Sequence, residues 1–122
     1  MDDDVSICKI YGLMLERLGY ESEIVSSGEK VLASHAAAQQ AQTPFQAVIL
    51  DLTVREGMGG LATIKQLRPL APDLYAIVAS GSSRETMLSS FTAQGFNAVL
   101  PKPFRMQDLA DCLEKSGAPR AP

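Results

Sequence analysis

Three uninterrupted apolar runs, AVIL at 47–50, AIVA at 76–79 and AVL at 98–100, set the strongest limit on how this chain can fold. A strand with one face in water alternates apolar and polar residues, whereas a strand covered on both faces need not. Segments of helical character lie between the runs. In GGLATIKQLRPLAP the residues Leu61, Ile64 and Leu67 recur at three-residue spacing, and Pro69 and Pro72 end the pattern. SSRETMLSSFTAQ predicts another helix, with Ser82 and Glu85 at capping-box spacing. Buried strands alternating with helices across short connections imply a parallel sheet with right-handed crossovers and helices on both sides.

The flanking segments extend the same order. From Ser6 to Leu18 the residues Ile7, Ile10, Tyr11, Met14, Leu15 and Leu18 form one apolar helical face, which Gly19 terminates. YESEIV predicts a short strand. SSGEKVLASHAAAQQAQ predicts a helix with Ser26 and Glu29 at capping-box spacing and its single histidine, His35, facing solvent. RMQDLADCLEKS predicts a last helix that buries Met106, Leu109, Ala110 and Leu113 and stops at Gly117. Residues 1–117 are thus expected to form one domain and 118–122 a disordered tail.

Composition narrows the function classes. A length of 122 residues suits one domain, and 46% hydrophobic with 20% charged residues argues against disorder. No apolar stretch approaches the roughly 18 residues of a membrane span, and no signal-peptide pattern is present, so a cytoplasmic domain without membrane contact is expected. A net charge of -3 without a cluster of Lys and Arg argues against nucleic acid as a partner. Cys8 and Cys112 lack C-x-x-C spacing and read as reduced, small apolar residues.

Parallel sheets bind ligands outside the carboxyl ends of their strands. Asp51 follows the first run, Ser80 the second, and Pro101 with Lys102 the third; Asp2, Asp3 and Asp4 stand before the first helix. Each has an ordinary reading alone: a turn or cap, a hydroxyl bonded to nearby backbone, a surface charge, a solvated chain end. Together they bring carboxylates, a hydroxyl and an ammonium to one sheet edge. Phosphoryl transfer to a carboxylate uses that set: an Asp nucleophile forms an acyl phosphate, and a hard cation with fixed donors neutralises the transferring group. Mg²⁺ takes oxygen ligands, typically one or two carboxylates with waters and phosphate oxygens. Carboxylates about 5 Å apart repel by roughly 3 kcal/mol per pair at an effective dielectric near 20, so the cluster favours a cation.

MDDD, AVILDLTVREGMGG, AIVASG and VLPKPF resemble, in order, the motifs of the receiver domain of two-component response regulators. The resemblance covers residues 1 to about 115. The spacings agree with it, at 29 positions from Asp51 to Ser80 and 22 from Ser80 to Lys102. It implies a CheY-like (flavodoxin-like) α/β three-layer sandwich whose parallel sheet has the order 2-1-3-4-5, with its first strand largely missing from this chain. It further implies that Asp51 accepts a phosphoryl group from a phosphohistidine of a histidine kinase or histidine phosphotransfer protein. Asp2, Asp3, Asp51 and the backbone carbonyl of Thr53 would hold Mg²⁺; Ser80 and Lys102 would bond the phosphoryl group. Pro103 would follow a cis bond and Asp4 would cap the first helix. The expected role is a signalling switch rather than an enzyme, either stand-alone or the receiver part of a hybrid sensor histidine kinase. Homodimerisation is expected through the surface formed by residues 83–104 or by strand exchange.

Some positions depart from the family pattern. Arg55 stands where many receivers have proline, and Val99 where the best-known ones carry an inward-swinging aromatic. Thr53 and Ser82, at the positions that tune hydrolysis, supply neither amide nor acid, which implies a long-lived phosphoryl state. Only Met1 precedes Asp2 where the family has an apolar strand. Truncation of a longer protein, a strand donated by another chain, or rearrangement of the second strand would each account for this. Two other classes stay open: a receiver-like interaction module with an incomplete acidic pocket that takes no phosphate, and a flavodoxin-like cofactor binder. The second calls for a phosphate-cradling loop where this chain has aspartates.

Overall fold

The computed structural model describes residues 1–52, 54, 57–81 and 90–118. In chain order its elements are α1 (Val5–Leu18), α2 (Gly28–Gln40), β1 (Ala47–Asp51), α3 (Gly60–Leu70), β2 (Tyr75–Ser80), β3 (Ala98–Pro101) and α4 (Met106–Ser116). Residues 90–94 are also helical, and the remainder of the helix expected from Ser82 lies outside the described residues. The three apolar runs form one parallel sheet of order β1-β2-β3, with Leu50 beside Val78 and Val78 beside Val99.

Period-two alternation splits the core. Leu50, Ala76, Val78 and Val99 pack with Val31, Ile64, Leu67, Leu74, Phe91 and Phe96 on the side of α2 and α3. Ile77 and Leu100 pack with Tyr11, Leu15, Tyr20, Leu109 and Leu113 on the side of α1 and α4. The expected doubly covered parallel sheet is therefore present.

Local chemistry sets the helix ends. Asp4 caps α1 as expected, its carboxylate accepting from the amides of Ser6 at 2.8 Å and Ile7 at 3.3 Å. Gly19 ends α1 at φ 88°, a left-handed conformation that favours glycine. The capping box expected in α2 does not form. Ser27 is the cap, Ser26 accepts from Lys30 at 2.8 Å, and Glu29 is drawn away to the backbone of Met58. Pro69 does not end α3 but lies in its last turn, and Arg68 beside it bonds the carbonyls of the chain beyond the helix end. Its guanidinium donates to Ala71, Pro72 and Leu74 at 3.2, 3.1 and 2.6 Å, and also to the carbonyl of Gly95. Arg68→Ala removes the guanidinium from these carbonyls, of which those of Leu74 and Gly95 are part-buried. A loss of about 1–3 kcal/mol in urea unfolding is expected.

Four further expectations are corrected. His35 does not face solvent: one helical turn after Val31, it lies on the same face and is 6% exposed. Ile10 and Met106 are exposed rather than buried. Residues 20–25 are not a strand. The Asp2 amide bonds to the Val25 carbonyl at 3.2 Å, and one such bond is no ladder. Ala118, expected in the tail, packs beside the α1/α4 half of the core; residues 119–122 lie outside the described residues.

Candidate functional site

The site forms where β1, β2 and β3 end. Asp51 is the last residue of β1, and Ser80 of β2; they are 5% and 4% exposed. The Lys102 amide donates to the Ser80 carbonyl at 2.7 Å, extending the β2–β3 ladder by one residue. From there the Lys102 side chain reaches Asp51 Oδ1 at 2.9 Å and Asp2 Oδ2 at 3.2 Å. Burial works to lower the Lys102 pKa, but its bond and proximity to Asp51, reinforced by Asp2, outweigh this and raise it above its usual value.

Asp2 is held in place by bonds on both sides of it. Met1 donates its amino group to the Ile49 carbonyl at 2.7 Å and accepts from the Asp51 amide at 3.0 Å. Asp2 accepts from the Asp4 amide at 2.9 Å through Oδ1 and, at its carbonyl, from Cys8 Sγ at 3.0 Å. The result is an oxygen cluster: one carboxylate atom from each of Asp2, Asp3 and Asp51, all within 4.8 Å of one another. An all-oxygen set with one lysine beside three carboxylates suits a small hard dication. These residues fit Mg²⁺. Thr53, the fourth expected contributor, lies outside the described residues, as do Arg55 and Ser82.

The loop after Asp51 is fastened from α2. Glu29 accepts the Met58 amide at 2.9 and 3.0 Å through its two oxygens, and the Gly28 amide donates to the Met58 carbonyl at 2.8 Å. Gly60 begins α3 against β1: a Cβ there would meet the Asp51 carbonyl oxygen at 2.7 Å. The Met58 amide bond holds the Glu29 carboxyl below its ordinary 4.5. A depressed carboxyl pKa contributes stability above the unfolded value and loses it as pH falls through the folded one. The Met58 amide resonance should therefore titrate with a midpoint below 4.5 and be flat across that range in Glu29→Gln.

Pro103 follows a cis bond, as expected, and Val99 is buried in the α2/α3 half of the core. Tyr11, expected only as part of the apolar face of α1, also neighbours the acidic site. Its ring packs on Phe104 at 5.3 Å, and burial, then Asp2 and Asp51, push its hydroxyl well above the usual range. A tyrosine on the buried side of the first helical turns after an acidic run was the available signal. Neither cysteine is in a disulfide, and no helix among the described residues is long and apolar enough to cross a membrane.

Comparison with known proteins follows the same lines. Residues 1–114 match the family model for the response regulator receiver domain. Transcriptional regulatory protein ZraR of Salmonella typhimurium is 32% identical over 117 residues, 95% of this chain and 25% of that protein. The chain thus spans about a quarter of the length of the curated relatives it matches. Chemotaxis protein CheY4 of Vibrio cholerae superposes with a TM-score of 0.80 at 26% identity, covering 94% of this chain and 92% of that one. The receiver domain of NtrX from Brucella abortus gives 0.80 at 24% identity with the same coverages, a likeness of fold. On its sheet, the residues at its strand ends and the match over residues 1–114, the chain belongs to the response regulator receiver domain family.

Proposed function

We propose that this domain is a phosphoacceptor switch in a two-component phosphorelay, working in the cytoplasm and taking its phosphoryl group on Asp51 from a histidine kinase or a histidine phosphotransfer protein. The supporting observation is the placement of Asp51: buried at a strand end, bonded to Lys102, and within 4.8 Å of Asp2 and Asp3 oxygens. In the transfer an Asp51 oxygen attacks phosphorus, the phosphorus–nitrogen bond of the phosphohistidine breaks, and its electron pair returns to the imidazole, which takes up a proton. Asp2, Asp3 and Asp51 would hold Mg²⁺, which supplies positive charge for the phosphoryl oxygens. Lys102 neutralises charge on the acceptor side, and Ser80 stands at the end of the neighbouring strand, where its hydroxyl can bond the acquired group.

The domain changes shape rather than turning over a substrate. Drawing Ser80 and Lys102 toward the new phosphoryl group moves the ends of β2 and β3 together, because the Lys102 amide is bonded to the Ser80 carbonyl. An interaction module without phosphorylation is less well supported, since Asp2 is held against the site by Asp4 and Cys8 and by the backbone bonds of Met1. Incubation with Mg²⁺ and acetyl phosphate followed by intact-mass spectrometry tests the reading. A phosphoryl-sized gain that disappears with EDTA supports it, and no gain with Mg²⁺ present sinks it.

A further inference from the structure

The segment that delivers Lys102 to the acidic pocket has few fixed points. β3 ends at Pro101, and α4 begins at Met106. On the sheet side the Lys102 amide is bonded to the Ser80 carbonyl at 2.7 Å; on the helix side the Arg105 amide donates to the Asp108 carboxylate at 2.8 Å. Between Lys102 and α4, Pro103 and Arg105 are exposed, and Phe104 alone turns inward. The Phe104 ring meets Tyr11, with centroids 5.3 Å apart and planes tilted by 38°. Lys102 is 25% exposed, yet its ammonium has to stay between two acceptors, Asp51 at 2.9 Å and Asp2 at 3.2 Å. A side chain with that much rotamer freedom keeps one position only where the backbone beneath it is fixed.

Tyr11 is a firm seat for the Phe104 ring. It is 4% exposed in the middle of α1 and packs with Leu15, Ile77, Leu100, Leu109 and Leu113. Its hydroxyl is buried with no hydrogen-bond partner among the described residues, so no polar bond accounts for a tyrosine here. The contact that uses an aromatic ring is the one to Phe104. One helical turn earlier on the same face, Cys8 Sγ donates to the Asp2 carbonyl at 3.0 Å. One helix therefore touches both members of the Lys102–Asp2 pair: Asp2 through Cys8, and the Lys102 segment through Tyr11.

We propose that Tyr11 is a positioning residue for Lys102: its ring, seated on α1, fixes Phe104 and so holds the Lys102 ammonium between Asp2 and Asp51 in the geometry that phosphoryl transfer uses. The effect on transfer rests on the phosphoacceptor reading above; the placement of the ammonium does not. The ring acts and the hydroxyl does not, so Tyr11→Phe should retain what Tyr11→Leu, apolar but without a ring face, gives up.

Two measurements on the whole chain test this. In proton–nitrogen correlation spectra without Mg²⁺ or phosphodonor, the Lys102 ammonium should exchange its protons more slowly than the other lysines, and Tyr11→Leu should bring it to their rate. With Mg²⁺ and acetyl phosphate, Tyr11→Leu should lower the maximal rate of phosphoryl uptake about tenfold and shift the half-saturating acetyl phosphate concentration less than about twofold, because Lys102 meets charge that develops during the transfer. In a Lys102→Ala background the same substitution should change the rate less than about twofold, as expected of a residue that acts through Lys102. Tyr11→Phe should rescue the rate and, without an unpaired buried hydroxyl, unfold at a higher urea concentration than the parent. Phe104→Leu should reproduce Tyr11→Leu from the other side of the contact, and it keeps the test available if Tyr11→Leu does not fold. Equal slowing by Tyr11→Leu in both backgrounds, slowing by Tyr11→Phe as large as by Tyr11→Leu, or a parent whose Lys102 ammonium exchanges like the other lysines overturns the proposal. A parent that takes up no phosphoryl group overturns the phosphoacceptor reading instead, and the ammonium spectra then decide the proposal alone.

Discussion

Asp51→Asn should take up no phosphoryl group from acetyl phosphate and Mg²⁺, while the unsubstituted chain gains one. The carboxamide keeps the size of the side chain and can still accept from Lys102, so the strand end should hold its shape. What it loses is the anionic oxygen that attacks phosphorus and one of the three charges gathered within 4.8 Å. Removing that charge also relieves repulsion of roughly 3 kcal/mol per carboxylate pair, at about 5 Å and an effective dielectric near 20. The change also gives up the charge pairing with Lys102 at 2.9 Å, which offsets that relief, so Asp51→Asn should unfold at a urea concentration close to the parent's. A variant that neither reacts nor folds would not separate the two effects; retained stability with lost reaction does. Mass gain on Asp51→Asn equal to that of the parent would move the acceptor elsewhere.

The second large effect is expected in the core. Ile64→Ala should destabilise by about 2–5 kcal/mol, read as a lower urea midpoint at unchanged slope. Ile64 is fully buried on α3 and packs in the half of the core built from Leu50, Val78, Val99, Phe91 and Phe96. Truncation forfeits the transfer energy of three carbons and leaves a void that β1 and β2 cannot close without breaking their register. Ile10→Ala is the internal comparison. With Ile10 48% exposed, that change should stay within about 0.5 kcal/mol. Similar losses in both variants would contradict the assigned core.

Much of this site could be read from the chain because the apolar runs locate the strand ends and the strand ends locate the chemistry. Asp51, Ser80 and Lys102 follow three such runs, and the sheet brings them to one edge. Asp2 was legible as a carboxylate but not as a held one, since its anchors are the amide of Asp4, the thiol of Cys8 and the backbone bonds of Met1 to β1. The strand expected at residues 20–25 failed for a nonlocal reason: a strand is made by its neighbour, and propensity cannot supply one. His35 sits among alanines that blur the apolar face of α2, so its burial one turn from Val31 was hidden. The reach of Arg68 to Gly95 spans 27 residues and leaves no local trace.

The division of the core by the sheet has a consequence for how the domain tolerates change. Neighbouring residues such as Ile77 and Val78 belong to opposite compartments, separated by the thickness of one backbone. Damage in one compartment reaches the other only by bending that partition, so each can drift in composition with its own helices as its only audience. The acidic pocket lies on the rim where the compartments meet, and a force applied there is delivered to both.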